Sequence, residues 1–150
     1  MDASAIAFRL DAPRRAAQLA AFNARNEIVW FGFEGAFIEP STALITFRQL
    51  EAGALGGGGT AAVNGGLIAA GFDAAFVLAG LAQYDVEVVV TLELSVQFLN
   101  LARAGDGLAF QAQAVRSAKH FCFVRGVLSD WNTPTAPPMA IATGMVAPAR

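Results

Sequence analysis

The segment VNGGLIAAGFDAAFVLAG, residues 63–80, constrains the fold of this chain more than any other feature. Its only ionisable side chain is that of Asp73, and no other acidic or basic residue occurs between Ala52 and Tyr84. Residues 65–82 predict a helix that is apolar on every side, and such a helix is normally buried all round. Because a buried carboxylate without a partner is costly, Asp73 requires either a hydrogen-bond partner or a function.

After this helix, apolar residues recur at every second position. In VEVVVTLELSVQFL, residues 86–99, the even positions are apolar and the odd positions include Glu87, Thr91 and Glu93. This alternation predicts a long strand with one face on a core and one more polar face. Further extended segments are predicted at 35–48, where Pro40 marks an edge or a bulge, and at 108–116, 120–129 and 139–147.

The N-terminal region predicts a short helix over residues 12–24, with Asp11 as its N-cap and Pro13 in its first turn. Hairpin-type connections join the strands that follow the buried helix, which favours a mostly antiparallel sheet wrapped round it. The predicted fold class is therefore α+β. The length of 150 residues favours one domain, residues 1–150, in which residues 1–31 form an N-terminal helical extension.

Composition argues against several classes of function. Hydrophobic residues make up 55% of the chain and charged residues only 15%, an apolar excess that favours a subunit interface in addition to a core. The net charge is −2 and the basic residues are scattered, so nucleic acid is not an expected partner. Cys122 and His120 are the only residues of their types, which excludes an internal disulfide and Cys- or His-rich metal sites.

The sequence carries no recognisable targeting or membrane signal. The N-terminal region has an acid at position 2 and no continuous apolar stretch, so it does not resemble a signal peptide. Residues 52–72 are uncharged but rich in glycine, which argues against a transmembrane helix. A cytoplasmic protein without a membrane partner is expected.

Two stretches carry a resemblance to a known family. NGGLIAAGFD, residues 64–73, resembles the HGG…D signature of hotdog-fold acyl-CoA thioesterases of the phenylacetyl-CoA thioesterase type. In that signature a His or Asn precedes two glycines at a helix start, and the catalytic acid follows nine residues later. VVVTLELSVQFLNLARAGDGL, residues 88–108, is similar to the family's long strand and the turn after it. The resemblance extends over about residues 35–147.

The resemblance implies a hotdog fold, in which a five- or six-stranded antiparallel sheet wraps a long central helix. It also implies subunits that pair edge to edge into dimers, often assembling further into tetramers. The implied reaction is hydrolysis of an acyl-CoA thioester to a free acid and CoA, with no cofactor. In the family the acid, here Asp73, activates water or attacks the thioester, and the N–H of the first glycine, here Gly65, polarises the carbonyl. Family members often carry His at the position of Asn64 and a polar Asn or Gln in the preceding loop, which here reads LGGGGTAAV.

Helix geometry restricts how Gly65 and Asp73 can act together. Eight residues separate them, which is about 12 Å along a helix, whereas both groups must lie within about 3–3.5 Å of one carbonyl. One subunit cannot supply both. We therefore expect two symmetric sites across a dimer interface, each with Gly65 from one chain and Asp73 from the other.

Other residues are assigned supporting roles. Thr91 is a candidate for positioning the acid or a water molecule, and Asn64 either caps the helix or hydrogen-bonds the thioester. Gly66 allows a substrate to approach the backbone. Substrate contacts are also assigned to three apolar residues that equally fit a core: Phe72, Phe76 and Val77.

Two other functions remain open. A hotdog hydratase or dehydratase pairs its acid with a histidine, and His120 is the only histidine available. A non-catalytic acyl-CoA- or lipid-binding protein would have the same fold without hydrolysis, and the altered glycine-rich loop fits that alternative.

Overall fold

The computed structural model describes residues 4–56, 61–105 and 107–150, in which a six-stranded antiparallel sheet packs against one long helix. The predicted α+β class is confirmed. The strand order is β1-β2-β4-β5-β6-β3. The elements are α1 (Ala12–Asn23), α2 (Asn26–Phe31), β1 (Phe33–Ile38), β2 (Thr42–Phe47), a 3₁₀ turn (Ala52–Ala54), α3 (Gly65–Leu81), β3 (Val89–Phe98), β4 (Leu108–Ser117), β5 (Cys122–Asp130) and β6 (Ala140–Pro148).

Helix α3 is the centre of the core, as its composition predicts. Every residue from Ala74 to Leu81 is buried, and the rings of Phe72 and Phe76 are fully enclosed. Small residues bring the helix close to the sheet. At Gly71 a Cβ atom would overlap the ring of Phe110, which lies directly against the helix backbone.

Replacing Gly71 with alanine should lower the free energy of unfolding by up to about 2 kcal/mol, because overpacking a filled core usually costs about 1–3 kcal/mol and the gain in helix propensity offsets part of it. The ring of Phe110 is fully buried and has little room to retreat, so this cost should exceed the gain of about 1 kcal/mol in helix propensity. Chemical denaturation monitored by circular dichroism measures the change. Gly53→Ala is the control, because a Cβ atom there meets nothing within 4 Å. Equal stability of the two variants would contradict the predicted overlap.

Strand β3 contains a bulge that the sequence pattern does not reveal. Thr91 pairs with Val146 and Glu93 pairs with Met145, so Leu92 is the extra residue. A bulge of this kind exchanges the faces to which alternate side chains point. The prediction of uninterrupted alternation over residues 86–99 is therefore wrong, and the side chain of Thr91 points toward α3 instead of lying on the outer face.

The remaining differences concern short segments. The extended segment 35–48 is a hairpin, β1 and β2, whose turn contains the cis peptide bond between Glu39 and Pro40. His120 lies in the turn between β4 and β5 and not in a strand. Helix α2 has no counterpart in the prediction, since its six residues are too few for a periodic pattern.

The N-terminal helix agrees with its prediction within one residue. The side chain of Asp11 accepts a hydrogen bond from Arg14 N at 2.9 Å, which confirms the N-cap. Gln18 of α1 is buried and donates from Nε2 to the carbonyl oxygen of Val86 at 2.8 Å. This contact ties α1 to the segment that follows α3.

Parts of the glycine-rich loop at 51–63 and of the turn at 103–107 lie outside the described residues, namely residues 57–60 and residue 106. No helix in the described part of the chain has the length and apolar character needed to cross a membrane.

Candidate active site

Asp73 lies half-buried on α3 and has one hydrogen-bond donor among the described residues. Thr91 Oγ1 lies 2.6 Å from Asp73 Oδ1 and donates to it. The bulge at Leu92 allows this contact, because it shifts the register of β3 and the Thr91 side chain then faces the helix. Asp73 is therefore oriented by this hydrogen bond, and no salt bridge to it occurs in the described part of the chain.

The carboxylate sits on the one strip of α3 that the sheet leaves partly open. Gly66 is exposed, and Ala69, Ala70 and Asp73 are intermediate in exposure. Their spacing of three or four residues places them on one helix face. Apart from Asp73, this strip presents only small side chains to whatever approaches it.

The amino end of α3 is built as a capped helix start. Asn64 Oδ1 accepts a hydrogen bond from Gly66 N at 2.7 Å, and its carbonyl oxygen accepts from the N–H groups of Leu67 and Ile68. The capping alternative for Asn64 is therefore the one the structure shows, and this carboxamide oxygen is already engaged.

The N–H of Gly65 has no acceptor among the described residues. It is the first amide of α3, where the helix dipole places partial positive charge. The ring of Phe98 lies beside it, since a Cβ atom on Gly65 would stand 3.4 Å from that ring. An unsatisfied, positively polarised N–H is a suitable donor to a developing oxyanion.

The apolar residues assigned to substrate contact lie in the core of the subunit. Phe72 and Phe76 are completely buried, and Phe72 packs edge-on against Phe110 with ring centroids 5.2 Å apart. Val77 is also buried. These three side chains fill the space between α3 and the sheet, and a direct contact with substrate remains a prediction for them.

The only histidine lies away from Asp73, and the only cysteine is buried at the start of β5. His120 is exposed in the β4–β5 turn, where the carbonyl oxygen of Ala118 accepts a hydrogen bond of 2.6 Å from Tyr84 Oη. That contact places the turn beyond the carboxyl end of α3, and the last helical residue is itself about 12 Å past Asp73. Burial raises the pKa of the Cys122 thiol to about 11, which makes it a poor nucleophile at neutral pH.

A cavity beside the amino end of α3 was not predicted from the sequence. It has a volume of about 420 Å³, and Asn64 and Gly66 border it on either side of Gly65. Its outer wall is formed by Trp30 and Phe31 of α2. The six-residue helix begins at Asn26, and its N-cap residue, Arg25, makes no side-chain capping hydrogen bond, so no helix-start signal predicts it.

About half of the chain is similar to a known protein family. Residues 61–133 match the family model of the thioesterase superfamily. The comparison with curated proteins gives no match.

Solved structures resemble nearly the whole chain. The PaaI protein of the Escherichia coli phenylacetic acid degradation operon superposes with a TM-score of 0.75 at 20% identity, covering 91% of this chain and 94% of that one. A thioesterase family protein from Silicibacter pomeroyi gives 0.73 at 18% identity, covering 89% and 96%. A mutant thioesterase from Pseudomonas aeruginosa gives 0.75 at 16% identity, covering 95% and 97%.

These likenesses establish the hotdog arrangement of a long helix against an antiparallel sheet. The family match lies over the segment that contains α3, β3, β4 and β5, and therefore includes both Gly65 and Asp73. The matched segment and the shared fold make this chain similar to the thioesterase superfamily over residues 61–133, with PaaI proteins among its structural neighbours.

Proposed function

We propose that this protein is an acyl-CoA thioesterase whose two active sites are each shared across a homodimer. The observation that carries the proposal is the pair of groups on α3. Asp73 is oriented by Thr91 on a partly open helix face, and the Gly65 N–H has no acceptor among the described residues. A carboxylate and an oxyanion donor are the minimum set for hydrolysis of a thioester.

The sheet offers an edge at which the second subunit can pair. Strand β3 is last in the strand order, so one edge has no neighbouring strand among the described residues. Such an edge is open to pairing with another chain. Two apolar side chains of β3, Val90 and Leu92, are 40% and 55% exposed. Pairing of two β3 edges about a two-fold axis would satisfy the backbone groups of this edge and place these side chains beside those of the second strand.

The same two-fold axis would bring the α3 helices together in antiparallel orientation. Ala69 and Ala70 are small enough to let the two backbones approach closely. In that arrangement the amino end of one α3 lies beside the middle of the other. Gly65 of one subunit and Asp73 of its partner can then reach the same carbonyl, which they cannot do within one chain.

The reaction follows from the roles of these groups. The thioester oxygen accepts a hydrogen bond from the Gly65 N–H, and its negative charge grows as the carbonyl carbon is attacked. Asp73 either removes a proton from the attacking water or attacks the carbon itself to form an anhydride that water then cleaves. In both routes the C–S bond breaks, the acyl group leaves as a carboxylic acid, and the sulfur leaves as the thiol of CoA.

Release of free thiol from a panel of acyl-CoAs tests the proposed activity, and light scattering after size-exclusion chromatography tests the assembly. We expect turnover of at least one acyl-CoA and a particle of two subunits or a multiple of two. A monomeric protein that hydrolyses acyl-CoA would contradict the shared site.

Removing the Thr91 hydroxyl should lower kcat about tenfold, because a hydrogen bond to a charged group is usually among the stronger ones. Thr91→Val keeps the shape of the side chain and leaves Asp73 without its donor. Thr91→Ser retains the hydroxyl and should keep most of the activity. If the serine and valine variants lose the same fraction of kcat, the hydroxyl does not position the acid.

A further inference from the structure

We propose that the cavity beside the first turn of α3 holds the acyl group of the substrate, and that Trp30 determines which acyl groups it accepts. The inference rests on the proposed thioesterase function and adds the class of substrate. The cavity measures about 420 Å³, within the range of roughly 300–1,000 Å³ typical of small-molecule sites. Its described lining residues are Trp30, Phe31, Glu51, Gly53, Ala54, Asn64, Gly66 and Leu67.

The position of the cavity relative to Gly65 supports an acyl site. Asn64 and Gly66, the residues on either side of Gly65, both line it. A thioester carbonyl bound to the Gly65 N–H therefore has the cavity immediately beside it. The acyl chain is the part of a thioester nearest the carbonyl on the side away from sulfur.

The outer wall of the cavity is aromatic and well supported. The rings of Trp30 and Phe31 meet edge to face at 5.1 Å, and Phe31 stacks on Phe33 at 5.3 Å. Phe33 is buried in the core. The wall is thus anchored from behind, while Trp30 itself remains 80% exposed. Burying a side chain of this size against an apolar ligand is favourable.

One charged group lines the cavity among the described residues, and it is an acid. Glu51 is exposed, and its Oε1 accepts a hydrogen bond of 2.6 Å from Gln49 Nε2. A carboxylate at this position repels an acyl group that ends in a second carboxylate. The lining therefore favours an uncharged, apolar acyl group larger than acetyl and disfavours dicarboxylic acyl groups.

The role of the Trp30 wall in acyl selection is tested by comparing kcat/KM for hexanoyl-CoA and acetyl-CoA. Trp30→Ala should lower kcat/KM for hexanoyl-CoA about 10- to 100-fold, while the value for acetyl-CoA changes by no more than about threefold. Val29→Ala is the matched control, since Val29 lies on the same helix, is 61% exposed and does not line this cavity. Equal losses on both substrates, or a wild-type preference for acetyl-CoA, would overturn the inference.

The effect of the Glu51 charge on acyl selection is tested with succinyl-CoA. Glu51→Gln should raise its kcat/KM relative to hexanoyl-CoA about two- to fivefold, the size typical of one solvent-exposed charge pair. An unchanged ratio would remove the role of Glu51 in excluding charged acyl groups.

A binding measurement separates this inference from the proposed function. The chain contains two tryptophans, Trp30 and Trp131, so an Asp73→Asn/Trp131→Phe variant reports on Trp30 alone without hydrolysis. Hexanoyl-CoA should change its fluorescence, and CoA should not. A fluorescence change without thiol release by the wild-type protein would retain the acyl site and reject the hydrolase. Thiol release with no change in Trp30 fluorescence would retain the hydrolase and reject the acyl site.

Discussion

Asp73→Asn should lower the turnover of the best acyl-CoA at least about 100-fold, in line with the loss of a general base or nucleophile. The substitution keeps the size of the side chain, and the amide oxygen can still accept the hydrogen bond from Thr91. What it removes is the negative charge and the basic lone pair that water or the carbonyl carbon requires. Thiol release gives kcat, and isothermal titration calorimetry should show that CoA esters still bind.

The matched control is Asp85→Asn, because Asp85 is an exposed acid that pairs with Arg14 far from the open strip of α3. We expect its kcat to stay within about threefold of the wild-type value, as for most surface substitutions. Equal rates for Asp73→Asn and the wild-type protein would refute the assignment of Asp73. A wild-type protein that binds acyl-CoA and releases no thiol would instead support the non-catalytic alternative.

Gly65→Pro should abolish most of the activity while leaving the helix intact. Proline at the first helical position removes the N–H, yet its ring suits the start of a helix. The preceding residue, Asn64, already has the extended backbone that proline requires, with φ −59° and ψ 137°. Loss of one oxyanion donor typically lowers kcat by about 10²–10³.

Gly65→Ala is the control for this substitution, because it retains the N–H. The added methyl group would lie 3.4 Å from the ring of Phe98, an ordinary van der Waals distance. We expect most of the activity to remain. Circular dichroism and thermal unfolding of both variants establish that the folded state survives, so that a loss confined to the proline variant reports on the amide.

The two inactive variants together test the sharing of the site. A heterodimer of an Asp73→Asn chain and a Gly65→Pro chain has one site with both defects and one site with neither. Purified through two different affinity tags, it should recover about half of the wild-type activity, as the two-fold symmetry requires. An inactive heterodimer would show that Gly65 and Asp73 of the same chain serve one site.

Much of the site was accessible from the sequence because its components are local. The positions of Asn64, Gly65 and Asp73 along one helix follow from the apolar segment and the cap that begins it. The separation of about 12 Å between the amide and the acid is a property of any α-helix. The need for a second chain follows from that distance and remains a prediction.

Other parts of the site depend on contacts between distant segments. The sequence makes Thr91 a candidate but predicts it on the more polar face of the strand, opposite the face that packs on the core. Only pairing with β6 reveals the bulge at Leu92 and therefore the side to which Thr91 points. The cavity wall was missed because α2 is too short to produce a pattern and is held by packing of Phe31 on Phe33.

The sequence by itself determined the buried helix, its cap, and the single acid in its middle, because hydrophobic periodicity and capping act over neighbouring residues. The tertiary structure alone decided that Thr91 meets Asp73 and that Trp30 encloses space beside Gly65. Both depend on register and packing between segments far apart in the chain, and no local preference encodes which face of a bulged strand turns inward.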